Sequence, residues 1–412
     1  MTEFFHVITA DEFIRKLERF GRLGHETAPL DQAINRVLSR DIIAAEDLPE
    51  GARSTVDGFA VRAADTFGAS DALPAFLEIA ASVPMGAVPD FELRPGQAAR
   101  IATGGFLPEG ADAVVMVEYT NPAGRAGIEV TRPVTLKNNV LEKGEDAGAG
   151  TTLVPTGKEL RPQEIGFLAA MGMTELPVYR KPRVAVISSG DEVVPVEARP
   201  LPGRIRDANS HAIAALVRST GAEPVLYGIV PDNAEMLRAA LQKAVSETDV
   251  ATLSGGSSVG TRDLMVEVIA GIREAEIIAH GISIRPGKPT LLAGWKGKAI
   301  IGLPGHPVSA LTIAQIFLAP FLRYLQGGKL GKGPLGSGTV QAQLATSIHS
   351  TIGLEEYIRV RLEETAEGIH VAHPVFGKSG MLSTMVKADG IISIPMNAEG
   401  FSKGKSVQVT RY

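Results

Sequence analysis

Ser254-Gly255-Gly256-Ser257-Ser258-Val259-Gly260-Thr261-Arg262-Asp263 is the stretch whose reading decides the fold. The residues before it, 250–253 (VATL), are short, apolar and partly β-branched, which predicts a buried strand. Residues 264–270 are apolar enough for a helix. The glycines therefore sit on a strand-to-helix turn. Gly255, Gly256 and Gly260 can take backbone angles closed to other residues and let a ligand approach the main chain. The first N–H groups of the helix have no partners within it and carry partial positive charge, so the turn suits a phosphate or another oxyanion. Ser257 and Ser258 add hydroxyl donors, and Asp263 adds a carboxylate, which makes sense beside an anion if a cation lies between them. The plainer reading, a turn that only reverses the chain, stays open at this point. The stretch has neither the Gly-Lys-Ser/Thr of a Walker A loop nor the G-x-G-x-x-G of a dinucleotide site.

Outward from this turn, apolar strands alternate with helices. Strands are expected at 183–188, 225–230, 250–253 and 299–303, and helices at 211–219, 233–246, 264–270 and 308–325. That alternation predicts a parallel sheet with helices on both faces, and ligands in such sheets bind beyond the carboxyl ends of the strands. Polar or glycine-rich turns fall at four of those ends: 188–192 (SSGDE), 231–232 (PD), 254–260 and 304–307 (PGHP). Upstream, Thr9 and Glu12 form a capping signal for a helix over 9–20. A short helix over 30–38 and a strand near 41–45 are expected next. From 49 to 140 short apolar runs (76–80, 98–102, 113–117, 128–130) alternate with Gly/Pro turns, the pattern of an all-β module. A helix follows at 160–171. Beyond a Gly/Lys/Pro linker at 326–338, runs at 340–344, 357–362, 369–372, 391–395 and 406–410 read as a small β-barrel or sandwich. The expected fold is thus α/β plus β, an elongated chain in four parts: 1–48 with 141–180, 49–140, 181–326 and 327–412.

The 412 residues carry a net charge of -5, and no Lys/Arg block suggests a nucleic-acid patch. The absence of cysteine excludes disulfides, thiolate metal sites and a Cys nucleophile. The first residues lack a signal-peptide pattern, and the apolar helix at 308–325, interrupted by Gln315 and Pro320, reads as buried rather than as a membrane span. A cytoplasmic protein with no membrane partner is expected.

Asp191 and Glu192 follow one strand of the expected sheet, Asp232 follows another, and Asp263 closes the glycine turn. Carboxylates converging beside an anion turn are what Mg²⁺ bridging a diphosphate requires. Each taken alone is a helix cap or a solvated carboxylate, for Asp232 especially. In 284–290 (IRPGKPT), prolines present Arg285 and Lys288 in a rigid turn that suits an oxyanion. His306 opens a helix and is given no acid/base role.

Taken together, these motifs resemble the molybdopterin molybdenumtransferase family, to which the bacterial MoeA proteins and the gephyrin E domain belong. STVDGFA (54–60), RIATGGFLPEGADAVVMVE (100–118), GED (144–146), SSGDE (188–192), DAN (207–209), PD (231–232), SGGSSVGTRD (254–263), IRPGKP (284–289) and GLPGHPVS (302–309) occur in the family's order. The resemblance implies a four-domain homodimer whose α/β domain is similar to molybdopterin adenylyltransferase. It implies an enzyme that takes adenylylated molybdopterin and molybdate and releases AMP, with Mg²⁺ present. Glu192, Asp232 and Asp263 would then serve the Mg²⁺/diphosphate crevice, and Asp57 and Thr103 would reach it from the partner subunit. Ser189, Gly190, Asp207, Asn209, Ser254, Gly255, Gly256, Ser258, Gly260, Pro304 and Gly305 would line it. Lys288, Ser309, Arg359 and Ser379 would hold molybdate, a dianion suited to such a pocket. The chain departs from the family at Val56, Phe59 and Ser257, at His306 where asparagine is usual, and at Leu354 where arginine is usual. Three alternatives remain: the ATP-consuming adenylyltransferase (also a possible partner), a tungstate-specific paralogue, and a non-catalytic scaffold of the same fold.

Overall fold

The computed structural model describes residues 7–255, 261–333 and 338–412, and the side chains of 261–263 lie outside that description. Backbone contacts divide the chain into two units. One holds Pro29–Ile34 and Arg40–Leu176, and the other holds the chain up to Ala28, Asn35–Ser39 and Pro177–Tyr412.

The first unit is built on a six-stranded sheet in the order Ala113–Met116, Gly58–Val61, Gln97–Ile101, Ala75–Ser82, Gly127–Val130, Thr120–Ala123. Gly58–Val61 is buried along its whole length because both faces are covered. Phe59 and Val61 join one apolar cluster and Ala60 another. A side chain at Gly58 would run into the Val115 carbonyl, so only glycine lets these strands close up. The register Gly58↔Ile101 sets Asp57 and Thr103 at the same end of two adjacent strands. The expected helix over 30–38 is reduced to a single 3-10 turn, Leu30–Gln32. Asn35 takes φ 61°, a left-handed conformation that breaks any continuation. The expected helix at 160–171 is present as Pro162–Ala170.

The second unit holds the α/β sheet, in the order Glu223–Val230, Arg183–Ser189, Val250–Ser254, Lys298–Leu303, Leu291–Trp295, Glu276–His280. Its central strands, Arg183–Ser189, Val250–Ser254 and Lys298–Leu303, are buried on both sides, as three-layer packing requires, while the edge strand Glu223–Val230 is largely half-buried or exposed. In Arg183–Ser189, Val184 and Val186 pack with the helices Ala208–Ser219 and Pro307–Ile313, while Ala185 and Ile187 pack with Ala234–Glu247 and Thr261–Ala270. The first four strands are parallel, as the sequence predicts. Leu291–Trp295 runs antiparallel to both its neighbours, Lys298–Leu303 and Glu276–His280, which the sequence does not predict. The cause is a two-residue hairpin: Lys296 (φ 51°) and Gly297 (φ 72°) give the left-handed pair that such turns need. The N-terminal helix Ala10–Leu17, with its Thr9/Glu12 capping box, buries Phe13 against Phe317 in the same core. The apolar run expected at 308–325 is the one helix among the described residues long and apolar enough to cross a membrane, and it lies mostly buried inside the protein. Its middle, Ala314–Leu318, widens into a π turn just before Pro320, whose missing N–H an ordinary turn would leave as a gap.

Five C-terminal strands close a barrel: Glu355–Glu364, His370–Pro374, Thr339–Leu344, Ser406–Arg411 and Gly390–Ile394, the last pairing back with the first. Val360, Ile392, Val407 and Val409 fill it. On its outer side Tyr357 and Ile391 belong to the α/β core. The IRPGKP turn supplies one more short strand. Ile284–Arg285 runs parallel to the start of Glu355–Glu364, with Ile284 opposite Glu355 and Arg285 opposite Glu356. This graft of the α/β domain onto the barrel positions one of the two cavities described next.

Candidate active site

The carboxyl ends of three parallel strands lie level, with Ser188 opposite Ser254 and Ser254 opposite Leu303. A crevice of about 40 Å³ opens there, lined among others by Ser188, Ser189, Glu192, Asp207, Asn209, Ser254, Gly255 and Gly305. Asp207 caps Ala208–Ser219 by accepting from the Ser210 N–H (3.1 Å), and it also accepts from the Ser210 hydroxyl (2.6 Å) and the Ser188 hydroxyl (2.9 Å). Its task is to lock the strand end to the helix. Asn209 Nδ2 donates to the Gly305 carbonyl (2.8 Å) and ties the PGHP turn to the same helix. Gly190, at φ 147°, has no room for a Cβ, which would meet Val193 and the Glu192 carboxylate.

Two polar groups in the crevice are left unused. Ser254 Oγ is buried without a hydrogen-bond partner, and the half-buried Glu192 carboxylate has none among the described residues. Asp232 does not line the crevice. It is joined to it through Ser189, whose hydroxyl donates to Asp232 Oδ1 at 2.5 Å. Among the described residues no three acidic or histidine side chains cluster into a ready-made metal cage. The Asp263 side chain and residues Gly256, Ser258 and Gly260 lie outside the described residues. Pro304 is not part of the lining. The helix that follows begins at Pro307, and His306, its N-cap, makes no side-chain capping bond.

A second cavity, of about 380 Å³, lies between the α/β domain and the barrel. Its lining includes Arg285, Val308, His349, Glu356, Arg359, Phe376 and Ser379. Pro307 lines the crevice, and Val308, the next residue of the same helix, lines this cavity. The Val308 N–H donates to the Ser379 carbonyl (3.0 Å), which seals the barrel loop to the helix start. Arg359 is 7% exposed, its Nε has no partner, and it forms no ion pair with a carboxylate among the described residues. Burial lowers its pKa below the ordinary arginine value, while the nearby Tyr412 phenol acts the other way. Arg285 is held by Glu356 at 2.9 Å. Of the four residues expected around molybdate, Arg359 and Ser379 share this cavity. Lys288 is exposed and Ser309 is buried, and neither lines it. Glu356 and His349 were not among the sequence candidates. The one signal for Glu356 was its place opposite a strand that local patterning did not show.

In the other unit, Asp57 Oδ1 accepts from the Thr103 N–H (2.7 Å) and from the Thr103 hydroxyl (3.0 Å). The Thr103 N–H first, and then its hydroxyl, hold the Asp57 carboxyl below its usual pKa, so it stays ionised.

Fold and cavities together define the class: an α/β protein with a polar crevice at the carboxyl edge of its sheet, extended by a barrel. Comparison with known proteins narrows this. Residues 8–172 match the MoeA N-terminal region (domain I and II), 185–324 a probable molybdopterin binding domain, and 341–412 the MoeA C-terminal region (domain IV). A molybdopterin molybdenumtransferase from Nostoc sp. is 36% identical over 389 residues, covering 93% of this chain and 88% of that protein. One from Bacillus subtilis is 32% identical over 407 residues, covering 98% and 93%. The crystal structure of a molybdopterin biosynthesis MoeA protein from Pyrococcus horikoshii OT3 is 31% identical, covers 98% of this chain and 100% of that one, and gives a TM-score of 0.83. The chain belongs to the molybdopterin molybdenumtransferase family, and it is a transferase of molybdenum cofactor biosynthesis.

Proposed function

We propose that this chain inserts molybdate into adenylylated molybdopterin and releases AMP, with Mg²⁺ at the diphosphate. One observation carries the proposal. Arg359, 7% exposed and with no carboxylate partner among the described residues, lines a cavity whose wall includes Val308, next in sequence to Pro307 of the strand-end crevice. A buried guanidinium without a counter-charge is costly, and an oxyanion relieves that cost through charge-assisted hydrogen bonds. Molybdate is such an anion, and Ser379 adds a polar group on the same wall. Lys288 and Ser309 stand outside the lining and would join only on binding.

The diphosphate would lie at the crevice, against Ser189, Ser254, Gly255 and Gly305. About 40 Å³ has room for an ion or a water or two, so the pterin would sit over the opening rather than within it. Mg²⁺ commonly takes one or two carboxylates and fills its shell with phosphate oxygens and water. The Glu192 carboxylate, without a partner among the described residues, and the second oxygen of Asp232 fit that need, with Asp263 as the third expected ligand. When bound, the ion would supply charge neutralisation on the leaving phosphate. Asp57 and Thr103 would complete the site from the partner subunit of a homodimer. The setting is cytoplasmic, the substrates are small molecules, and a molybdopterin adenylyltransferase is the natural upstream partner.

The test is AMP release from adenylylated molybdopterin on addition of molybdate, tungstate or neither, alongside MgATP consumption with molybdopterin. AMP appearing with molybdate and no ATP consumed is the expected result. ATP consumption would establish the adenylyltransferase instead, and no AMP above the blank would refute the proposal.

A further inference from the structure

Glu356 is 3% exposed and lines the same cavity as Arg359. A buried carboxylate on the wall of a site for a dianion works against binding, so its presence there needs a reason. Its geometry is fixed by strand pairing, which sets Arg285 opposite Glu356 and lets Arg285 Nη1 donate to Glu356 Oε1 at 2.9 Å. The Arg285 side chain is 57% exposed and that of Glu356 only 4%, so the buried acid holds the exposed base in place. Histidine aside, Arg285, Glu356 and Arg359 are the charged groups of the described lining: two positive and one negative.

We propose that Glu356 sets the charge of this cavity. It pins Arg285 at the wall and cuts the net positive charge from two to one, so that a dianion is held loosely enough to be passed on. This rests on reading the cavity as the oxyanion site. Binding a substrate more tightly without also stabilising the transition state only deepens the starting well and slows transfer. Coulomb energy scales with the product of the charges, so Glu356 weakens a dianion by twice the free energy by which it weakens a monoanion of the same shape. A residue acting only through packing would show no such scaling.

The experiment is calorimetric titration of molybdate, and of perrhenate as a monoanionic tetrahedral oxyanion, into the full chain and its Glu356→Gln variant. Perrhenate should bind about fivefold tighter to the variant, and molybdate by the square of that factor, about 25-fold. AMP release should show a lower KM for molybdate together with a lower kcat. Arg285→Gln, at the exposed partner, keeps the idea testable if Glu356→Gln folds poorly. It takes the net charge from one to zero and should weaken molybdate by the square of the factor for perrhenate. Equal factors for the two anions, or none, overturn the role of Glu356. An Arg359→Ala control separates the two levels. If it binds molybdate as the unaltered chain does, the oxyanion reading fails and this inference fails with it. If it loses binding while Glu356→Gln leaves both anions unchanged, only the role of Glu356 fails.

Discussion

Replacing Arg359 with methionine should make the protein more stable and, at the same time, blind to molybdate. Arg359 is 7% exposed, its Nε has no partner, and no carboxylate pairs with it among the described residues. Substituting buried ion pairs by apolar groups of similar volume ranges from neutral to stabilising by about 1–4 kcal/mol, and a buried charge without a carboxylate partner has no pairing energy to lose. The 380 Å³ cavity beside it can admit water to one side of the guanidinium, so the lower end applies, about 1 kcal/mol. For a unit of this size that is about 2–4 °C in the thermal midpoint. Ligand linkage acts in the opposite sense. Molybdate at a hundred times its Kd stabilises the unaltered chain by about 2.7 kcal/mol. The two proteins should therefore change order, with Arg359→Met melting higher in buffer and lower in saturating molybdate. Differential scanning calorimetry of both proteins, with and without molybdate, following the transition that the anion moves, reads this directly. A variant that melts below the unaltered chain in buffer would mean that the guanidinium contributes stability in the fold. An equal molybdate shift in both proteins would mean that the anion binds elsewhere. Either result refutes the reasoning.

Further outcomes follow from the same contacts. Asp249 accepts two hydrogen bonds from Arg180 (2.9 and 2.7 Å) and one from the Arg183 N–H (2.8 Å). Burial pushes its pKa up, but these partners outweigh burial and hold it below the ordinary aspartate value. A depressed carboxyl contributes stability that is present above its unfolded pKa and is lost as pH falls through the folded one. Asp249→Asn should thus cost about 2 kcal/mol in urea unfolding at pH 7, and its gap to the unaltered chain should begin to narrow only near the unfolded pKa of about 4 and vanish as pH falls through the lower folded pKa. Gly287 sits at φ 114° with Ile313 where a Cβ would go, so Gly287→Ala should lower stability by about 2–3 kcal/mol in urea and weaken molybdate binding. Asp57→Asn, whose amide oxygen can still accept from Thr103, should lower the thermal midpoint only slightly while AMP release falls about a hundredfold. Asp65→Asn, which alters a carboxylate that accepts from the Gly96 N–H in the same unit, should leave AMP release as it was.

What could be read from residue order alone was whatever local patterning encodes. The strand Arg183–Ser189 alternates Val184 and Val186 with Ala185 and Ile187, and both sets are apolar because both faces are covered, so a buried parallel strand was legible. The Thr9/Glu12 box was legible for the same local reason, since both partners lie within one helical turn. The reversal of strand direction at 291–303 hung on two residues, Lys296 and Gly297, whose paired left-handed angles a Trp-Lys-Gly-Lys string does not announce. The helix expected over 30–38 stops at Gln32, and beyond it Asn35 at φ 61° and the bridge from Leu38 to Val178 hold the chain out of helical conformation. The site divides along the same line. The strand-end crevice was visible because its groups follow apolar runs directly, and Ser188 and Ser254 come level once the strands pair. The cavity proposed for the oxyanion was visible only in part. Arg285 and Glu356 are 71 residues apart, and what joins them is a two-residue strand grafted onto the barrel. Shifting that pairing by one residue would turn Glu356 to the other face of its strand and remove it from Arg285. The charge of the cavity therefore rests on a strand register, a property of the folded chain rather than of any stretch of it. A Gly287 substitution that disturbs this turn should accordingly change anion preference as well as stability, and perrhenate against molybdate would show it.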